Sequence, residues 1–204
     1  MDIVIKPTNL KGRINIPPSK SLSHRAIIAA CLSEGKSRID NVILSKDIIA
    51  TIEAMEALGA SVKIDGNTLY ITGSKPKRVK ASINCKESGS TVRFMIPISL
   101  TCPGKITFNG ENHLVKRPLN VFLDLFNEFG IKYEKGIDEL PLTVYDMLKP
   151  GVYNVRGDIS SQFITGLLYA LPMLDGDSII NITTNLESIG YIDLTLDVLE
   201  KFGI

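Results

Sequence analysis

Two kinds of hydrophobic pattern alternate along the chain, both with the spacing of a helix. Three segments are apolar on nearly every side, which predicts helices that are buried all round. They are residues 26–32, 92–100 and 163–174. Three further segments carry one apolar and one polar face, which predicts helices with a solvated side. They are residues 48–59, 119–130 and 192–203. Each helix of this second kind closes on a glycine, at Gly59, Gly130 and Gly203, as helix C-termini often do.

Short strand-like runs fill the gaps between these helices, and they recur in the same order. The first set is residues 13–16, 38–42, 62–65 and 68–72, the last two joined as a hairpin through Asp65-Gly66-Asn67. The second set is residues 81–85, 105–109, 131–134 and 142–145, and the third is residues 152–155 and 178–182.

The chain is therefore predicted to be an α/β protein of three βαβαββ repeats with buried parallel helices. The repeats span about residues 13–73, 80–146 and 151–204, and their closing glycines recur about every 70 residues. The third repeat lacks the closing hairpin of the other two, which favours a truncated chain. A third copy that has diverged and ends naturally is the alternative.

Each apolar helix is preceded by a cluster rich in serine. Serine caps the unpaired N–H groups of a helix start, and such a start attracts anions. Because three like units around a common axis bring these starts to one end, we expect one shared site for a phosphate or carboxylate. The alternative is three ordinary capped helices whose nearby cations, Lys20 and Arg25, are solvated. The clusters are Ser19-Lys20-Ser21-Leu22-Ser23, Ser88-Gly89-Ser90-Thr91 and Ser160-Ser161-Gln162.

Composition narrows the class of protein. The 204 residues are 44% hydrophobic with a formal net charge of +1, so neither a general nucleic-acid partner nor a membrane partner is expected. Three cysteines, Cys31, Cys85 and Cys102, are too few for a disulfide framework and read as core residues, which favours the cytoplasm. The two histidines, His24 and His113, have no metal-ligand spacing, so no metal site is expected. His24 is expected to be a hydrogen-bond partner rather than a catalytic base.

Further candidates lie near the helix starts, each with an open alternative. Lys116-Arg117-Pro118 places two cations before a helix, which fits either a bound anion or a solvated surface. Arg93 can reach the second serine cluster or pair with Glu87. Gln162 can donate to a phosphate or cap its helix, and Tyr191 can pack or contact a substrate.

Five motifs, taken in order, resemble the 5-enolpyruvylshikimate-3-phosphate (EPSP) synthase family. This resemblance implies the enolpyruvyl transferase fold, in which two lobes each contain three βαβαββ units. It also implies that residues 1–12 form an N-terminal strand that belongs to the other lobe, that residues 13–204 form the N-terminal lobe without its last hairpin, and that most of the other lobe is missing. The motifs are Pro18-Ser19-Lys20-Ser21-Leu22-Ser23-His24-Arg25, Ser88-Gly89-Ser90-Thr91-Val92-Arg93, Lys116-Arg117-Pro118, Ser160-Ser161-Gln162-Phe163 and Ser188-Ile189-Gly190-Tyr191-Ile192-Asp193.

The resemblance also assigns roles to individual residues. Lys20 would contact both substrates and take part in proton transfer. Glu87 stands where the family commonly has asparagine, which departs from the pattern. Phosphoenolpyruvate would be bound by Lys20, Gly89, Arg117 and Gln162. Shikimate 3-phosphate would be bound by Lys20, Ser21, Arg25, Ser90, Ser160, Ser161, Gln162, Ser188 and Tyr191.

The implied reaction transfers the carboxyvinyl group of phosphoenolpyruvate to the 5-hydroxyl of shikimate 3-phosphate in aromatic amino acid biosynthesis, without a cofactor or metal. The resemblance implies a monomer when complete, a target of glyphosate, and no turnover by this chain alone. One alternative is the UDP-N-acetylglucosamine enolpyruvyl transferase, although Ser21 follows Lys20 here and no cysteine lies between Cys102 and Arg117. Another is a non-catalytic anion-binding domain.

Overall fold

The computed structural model describes residues 3–9 and 11–204, and the chain folds into three successive α/β repeats. The first repeat contains α1 (Lys20–Leu32), β1 (Gly35–Ile39), α2 (Lys46–Glu56), β2 (Ser61–Asp65) and β3 (Thr68–Gly73). The second contains β4 (Ser82–Asn84), α3 (Gly89–Ser99), β5 (Ile106–Asn109), α4 (Asn120–Phe129), β6 (Tyr133–Lys135) and β7 (Leu142–Val144). The third contains β8 (Val152–Val155), α5 (Ser161–Ala170), β9 (Ile179–Ile182) and α6 (Ile189–Lys201). Two short 3₁₀ helices, Asn112–Lys116 and Leu171–Met173, precede α4 and follow α5.

Each repeat builds its own small sheet. The strand order is β1-β3-β2 in the first sheet and β4-β5-β7-β6 in the second. The third sheet, as far as the chain is described, is the parallel pair β8-β9. In the first two sheets β3 and β7 are the second strands of hairpins and lie antiparallel to β1 and β5. The predicted order βαβαββ is therefore seen in full in the second repeat.

The strand predicted at residues 13–16 is wrong, and the described residues of the preceding segment, 3–9 and 11–12, form no strand either. These residues form no strand, and Ile14 and Ile16 are 85% and 80% exposed. A strand is stable only when a neighbour shares its backbone hydrogen bonds, and within the described residues β1 pairs with β3 alone. The first repeat consequently begins at α1.

The inner helices α1, α3 and α5 form the centre of the molecule. Phe94 of α3 and Phe163 of α5 are buried, and the Phe163 ring meets the buried ring of Phe122, on α4, edge to face with centroids 4.9 Å apart. Cys31 and Cys85 lie in the same core, where burial raises the pKa of each thiol to about 12. Cys102 is buried as well, so the prediction that the cysteines fill the core is confirmed.

Helix ends differ from the predictions where local chemistry intervenes. The apolar run predicted to be helical through residue 174 leaves the α-helix at Ala170 and ends as a 3₁₀ turn, because Pro172 has no N–H to continue the ladder. Gly59, Gly130 and Gly203 all have positive φ angles past the ends of α2, α4 and α6, as predicted. No helix in the described ranges is long and apolar enough to span a bilayer.

Candidate functional site

Serine side chains cap the N-termini of all three inner helices. In each helix the hydroxyl oxygen of the N-cap serine accepts a hydrogen bond from a backbone N–H of the first turn. The remaining N–H groups of each first turn stay available to a ligand. The caps are Ser19 to Leu22 N at 3.2 Å, Ser88 to Thr91 N at 3.1 Å and Ser160 to Gln162 N at 3.3 Å.

A cavity of about 220 Å³ lies where these three helix starts meet. Its walls carry hydroxyl, amide and guanidinium groups, and every residue that lines it was a predicted site residue. Because each helix contributes partial positive charge at its start, the cavity suits an anionic ligand with hydrogen-bond acceptors. The lining residues are Ser21, Arg25, Ser90, Ser160, Ser161, Gln162, Ser188 and Tyr191.

Larger cavities elsewhere are lined by fewer hydroxyl, amide and guanidinium groups. One of about 500 Å³ is lined mainly by Leu168, Leu171, Pro172 and Leu174, beyond the end of α5. Another of about 620 Å³ lies near Leu32, Pro172 and Met173, at the C-terminal ends of inner helices. Volume alone therefore does not mark the site, whereas the convergence of polar side chains does.

Arg25 lines the cavity and is almost fully buried, with 2% of its surface exposed. Its Nε donates to Thr195 Oγ1 at 2.8 Å, its Nη2 donates to Thr165 Oγ1 at 3.1 Å and to the Tyr191 carbonyl at 3.0 Å, and its Nη1 donates to the Ser21 carbonyl at 3.1 Å. Burial lowers the pKa of the guanidinium from its ordinary value, although it stays charged.

These bonds tie α1 to α5 and α6 through one side chain. Of the five N–H bonds of the Arg25 guanidinium, only one on Nη1 has no partner among the described residues. In this geometry Arg25 can offer a ligand carboxylate one hydrogen bond rather than a two-bond clamp.

Two guanidinium groups meet at the start of α3. A Cβ atom on Gly89 would lie 2.8 Å from Arg117 Nη1 and 3.3 Å from Arg93 Nη1. Arg93 Nη1 donates to Gln162 Oε1 at 2.8 Å, and Gln162 Nε2 donates to Ser90 Oγ at 2.9 Å. Burial, together with the positive charge of Arg117, lowers the pKa of Arg93.

Neither of these arginines is neutralised by protein. Across the described ranges, no carboxylate forms an ion pair with Arg93 or Arg117. Glu87 does not pair with Arg93, because its carboxylate accepts a hydrogen bond from the Asn112 side chain instead. Two adjacent cations without a counter-ion make this corner a second place where an anion is favoured.

Lys20 stands beside the cavity rather than in its lining. Its Nζ lies 2.7 Å from Asp47 Oδ2, in the first turn of α2. The lysine is largely exposed, so this pair is weak and can exchange for a ligand anion. Asp47 was missed by sequence reasoning, because an acidic residue at a helix start usually serves only the helix dipole.

Ser188 and Tyr191 close the cavity from the start of α6. Ser188 has a φ of 57° and its side chain makes no capping bond. The Tyr191 ring lies with its centroid 5.7 Å from the Arg25 guanidinium carbon. Both groups therefore line the cavity from the N-cap and first turn of α6.

Residues 4–204 match the family model described as EPSP synthase (3-phosphoshikimate 1-carboxyvinyltransferase). The chain belongs to the EPSP synthase family. Proteins named 3-phosphoshikimate 1-carboxyvinyltransferase from Clostridium novyi (strain NT) and Clostridium kluyveri are each 52% identical to it, over 100% and 99% of this chain and 49% and 48% of their own length. The chain thus spans about half the length of the curated relatives it matches.

Solved EPSP synthase structures share the fold. A structure of EPSP synthase from Acinetobacter baumannii superposes with a TM-score of 0.79 at 22% identity, covering 94% of this chain and 44% of that one. The predicted enolpyruvyl transferase fold is confirmed by this likeness.

Eight predicted residues meet in one cavity, whereas Gly89 and Arg117 form the neighbouring cationic corner and Lys20 pairs with Asp47. Thr165 and Thr195, the partners of Arg25, were missed, and no local signal marks them within apolar helices. His24 is a buried hydrogen-bond partner as predicted, with Nδ1 2.8 Å from Thr51 Oγ1.

Proposed function

We propose that this chain is the substrate-binding N-terminal lobe of a 3-phosphoshikimate 1-carboxyvinyltransferase, and that it binds shikimate 3-phosphate at the starts of its inner helices. The hydroxyl-lined cavity that these three helix starts share is the observation that carries the proposal. Family membership supports the choice of substrate.

The proposed pose follows the chemistry of the cavity walls. The 3-phosphate lies against Ser160, Ser161 and Ser188, where hydroxyls and helix N–H groups supply donors. The ring and its carboxylate lie against groups that combine donors with an aromatic face. These are Ser21, Arg25, Ser90, Gln162 and Tyr191.

Phosphoenolpyruvate binds in the proposed arrangement at the cationic corner. Gly89 leaves room beside Arg117, while Gln162 joins this corner to Ser90 in the first cavity. Lys20 adds a third positive charge when its ammonium group breaks the ion pair with Asp47 and contacts the incoming anion. Because two anionic substrates repel each other, close cations lower the cost of bringing them together.

The proposed reaction joins the 5-hydroxyl oxygen to C2 of phosphoenolpyruvate. A proton adds to the methylene carbon and the hydroxyl proton is lost, which gives a tetrahedral intermediate. Loss of a proton from the new methyl group then expels inorganic phosphate and restores the vinyl group. Lys20 is the residue of this chain proposed to move a proton. No metal or organic cofactor enters this scheme.

Turnover is proposed to need a second lobe, so this chain alone should bind shikimate 3-phosphate without releasing phosphate. We further propose that the complete enzyme is a cytoplasmic monomer. The buried thiols Cys31, Cys85 and Cys102, none of them in a disulfide, support a reducing compartment.

The test is a calorimetric titration of the purified chain with shikimate 3-phosphate at fixed ionic strength. Saturable heat that weakens in Ser160→Ala and Ser188→Ala, with Ser61→Ala as an exposed control on β2, is the expected result. Absence of heat at millimolar ligand, from a chain that still melts cooperatively, would contradict the proposal. Arg25→Ala is a poor probe, because it would also remove the bonds that tie three helices together.

A further inference from the structure

A continuous chain of hydrogen bonds runs through the core below the site. His24 Nδ1 lies 2.8 Å from Thr51 Oγ1, Thr51 Oγ1 lies 2.7 Å from Thr91 Oγ1, and Thr91 Oγ1 lies 2.7 Å from Ser88 Oγ. None of the four residues exposes more than 1% of its surface. This series of hydrogen bonds therefore runs from α1 through α2 to α3 without contact with solvent.

The direction of these bonds follows from the Thr91 hydroxyl, whose nearer acceptor is Ser88 Oγ at 2.7 Å and whose more distant one is the Asp47 carbonyl oxygen at 3.4 Å. Ser88 Oγ already accepts the Thr91 N–H as the cap of α3, and it also accepts the Thr91 hydroxyl. Thr91 Oγ1 then accepts from Thr51, and Thr51 Oγ1 in turn accepts from His24. In this direction His24 carries its proton on Nδ1 and donates it to Thr51.

The other ring nitrogen supports the same assignment. Nε2 of His24 is buried with no hydrogen-bond partner in the described part of the chain. A bare lone pair there is tolerable, whereas a buried N–H or a positive charge without a partner is costly. Burial accordingly lowers the pKa of His24 to about 4.

Both ends of this hydrogen-bond series lie next to residues of the site. His24 directly precedes Arg25 in α1, and Ser88 directly precedes Gly89 and Ser90 in α3. Apolar side chains could fill these four positions, but apolar contacts have no preferred direction. Hydrogen bonds do, so this series constrains how α1 and α3 are placed relative to each other.

We propose that His24 is a positioning residue: its Nδ1–H, acting through Thr51 and Thr91, orients the capping hydroxyl of Ser88 and so fixes the start of α3 relative to the start of α1. This inference deepens the proposed function and rests on it. His24 itself touches no substrate in this scheme.

The binding test uses matched pairs that keep or remove one donor. Thr51→Val keeps the shape of the side chain but removes the hydroxyl, and Thr51→Ser keeps the hydroxyl. His24→Leu removes the N–H, and His24→Asn keeps one near the Nδ1 position. We expect the Kd for shikimate 3-phosphate, by calorimetry on the 204-residue chain, to rise about five-fold in the Val and Leu variants, the worth of one hydrogen bond. The Ser and Asn variants should restore it.

A stability control separates positioning from packing. Ile28→Val removes one methylene group from a fully buried residue of α1 and should lower the melting temperature without changing the Kd. If His24→Leu and Thr51→Val lower the melting temperature but leave the Kd unchanged, or if Ser and Asn fail to rescue it, the inference is overturned.

Ligand-free measurements keep the inference testable if no shikimate 3-phosphate binds, an outcome that would contradict the proposed function alone. Nitrogen-15 NMR of the imidazoles should show Nδ1 protonated in His24, with exposed His113 as an internal reference. Amide exchange at Thr91, whose N–H donates to the Ser88 hydroxyl, should quicken in Thr51→Val but not in Thr51→Ser. A His24 proton on Nε2, or unchanged exchange in Thr51→Val, would refute the positioning role.

Discussion

Ser188 holds a left-handed backbone conformation, with a φ of 57°, at the edge of the cavity. A residue with a Cβ atom adopts this conformation at a cost of roughly 1 kcal/mol, and glycine does not. Strain retained beside a ligand site is consistent with a hydroxyl that serves binding rather than folding.

Ser188→Gly should therefore raise the free energy of unfolding by about 1 kcal/mol while it weakens binding of shikimate 3-phosphate. Ser188→Ala should weaken binding without the gain in stability, because the strain remains. Urea denaturation and calorimetry on the same samples measure both effects. Unchanged affinity in both variants would show that this hydroxyl lies outside the ligand contacts.

Gly89 has no side chain, and this leaves space for the Arg117 guanidinium beside it. Gly89→Ala places a methyl group 2.8 Å from Arg117 Nη1, so the flexible Arg117 side chain must move. The affinity for phosphoenolpyruvate should fall about tenfold through the loss of a charge-assisted bond, while the melting temperature does not fall. Calorimetric titration checks the first expectation, and an unchanged Kd would place Arg117 away from the bound anion.

The residues of the site were predicted from local signals, and their partners were not. Serine clusters before apolar helices identify Ser21, Ser90 and Ser161 because capping depends on neighbours in sequence. The contact of Arg93 with Gln162 joins residues 69 positions apart, and the sequence offered nearby Glu87 as an equal candidate. Which side chain a long guanidinium reaches depends on packing between repeats, which no local pattern contains.

At the scale of elements, α3 and α5 pack so closely that only a hydrogen atom fits at one point. A Cβ atom on Gly166 of α5 would lie 2.5 Å from the Arg93 carbonyl oxygen and 2.8 Å from Pro97 Cγ. This contact sets the spacing of two of the three helix starts that form the cavity.

Gly166→Ala should lower the free energy of unfolding by about 2 to 3 kcal/mol, because backbone and a proline ring cannot yield as a flexible side chain would. Gly190→Ala on α6 is the matched control, since nothing lies within 4 Å of its added methyl group. Gly190→Ala should leave the free energy of unfolding unchanged or raise it by up to about 1 kcal/mol. Chemical denaturation measures both, and equal stability of the two variants would contradict the close approach.

The hydrophobic pattern predicted the helices and strands correctly except at one strand that has no neighbouring strand and at one helix that ends early before a proline. All six α-helices found among residues 3–9 and 11–204 were predicted, and β8 matches its predicted bounds. Residues 13–16 alternate like a strand but lie exposed without a neighbour, since a sequence period does not say which sheet a strand joins. The early end of α5 at Ala170 could have been anticipated from Pro172.

For the whole molecule, the buried histidine makes stability depend on pH. The pKa of His24 is about 4 in the folded chain against 6.5 ordinarily, chiefly through burial. Asp47 opposes this shift, whereas Lys20 and Arg25 add to it. The unfolded chain therefore binds the proton first, and stability present above pH 6.5 is lost as the pH falls through 6.5 towards 4.

The His24 contribution to the free energy of unfolding should fall by about 3 kcal/mol between pH 7 and pH 4. Denaturation of the wild-type chain and of His24→Asn across this range isolates it, because other groups titrate alike in both. Parallel curves for the two proteins would rule out a depressed pKa.

The three inner helices begin with the same capping residue and then diverge. Their first positions are Lys20, Gly89 and Ser161, and their second positions are Ser21, Ser90 and Gln162. If the repeats arose by duplication, the position that folding requires in every copy stayed serine, while the positions that face the ligand specialised separately. The first repeat supplies two of the eight residues that line the cavity, the second supplies one and the third supplies five. No single repeat forms the whole cavity, so recognition of the proposed substrate belongs to the assembled set.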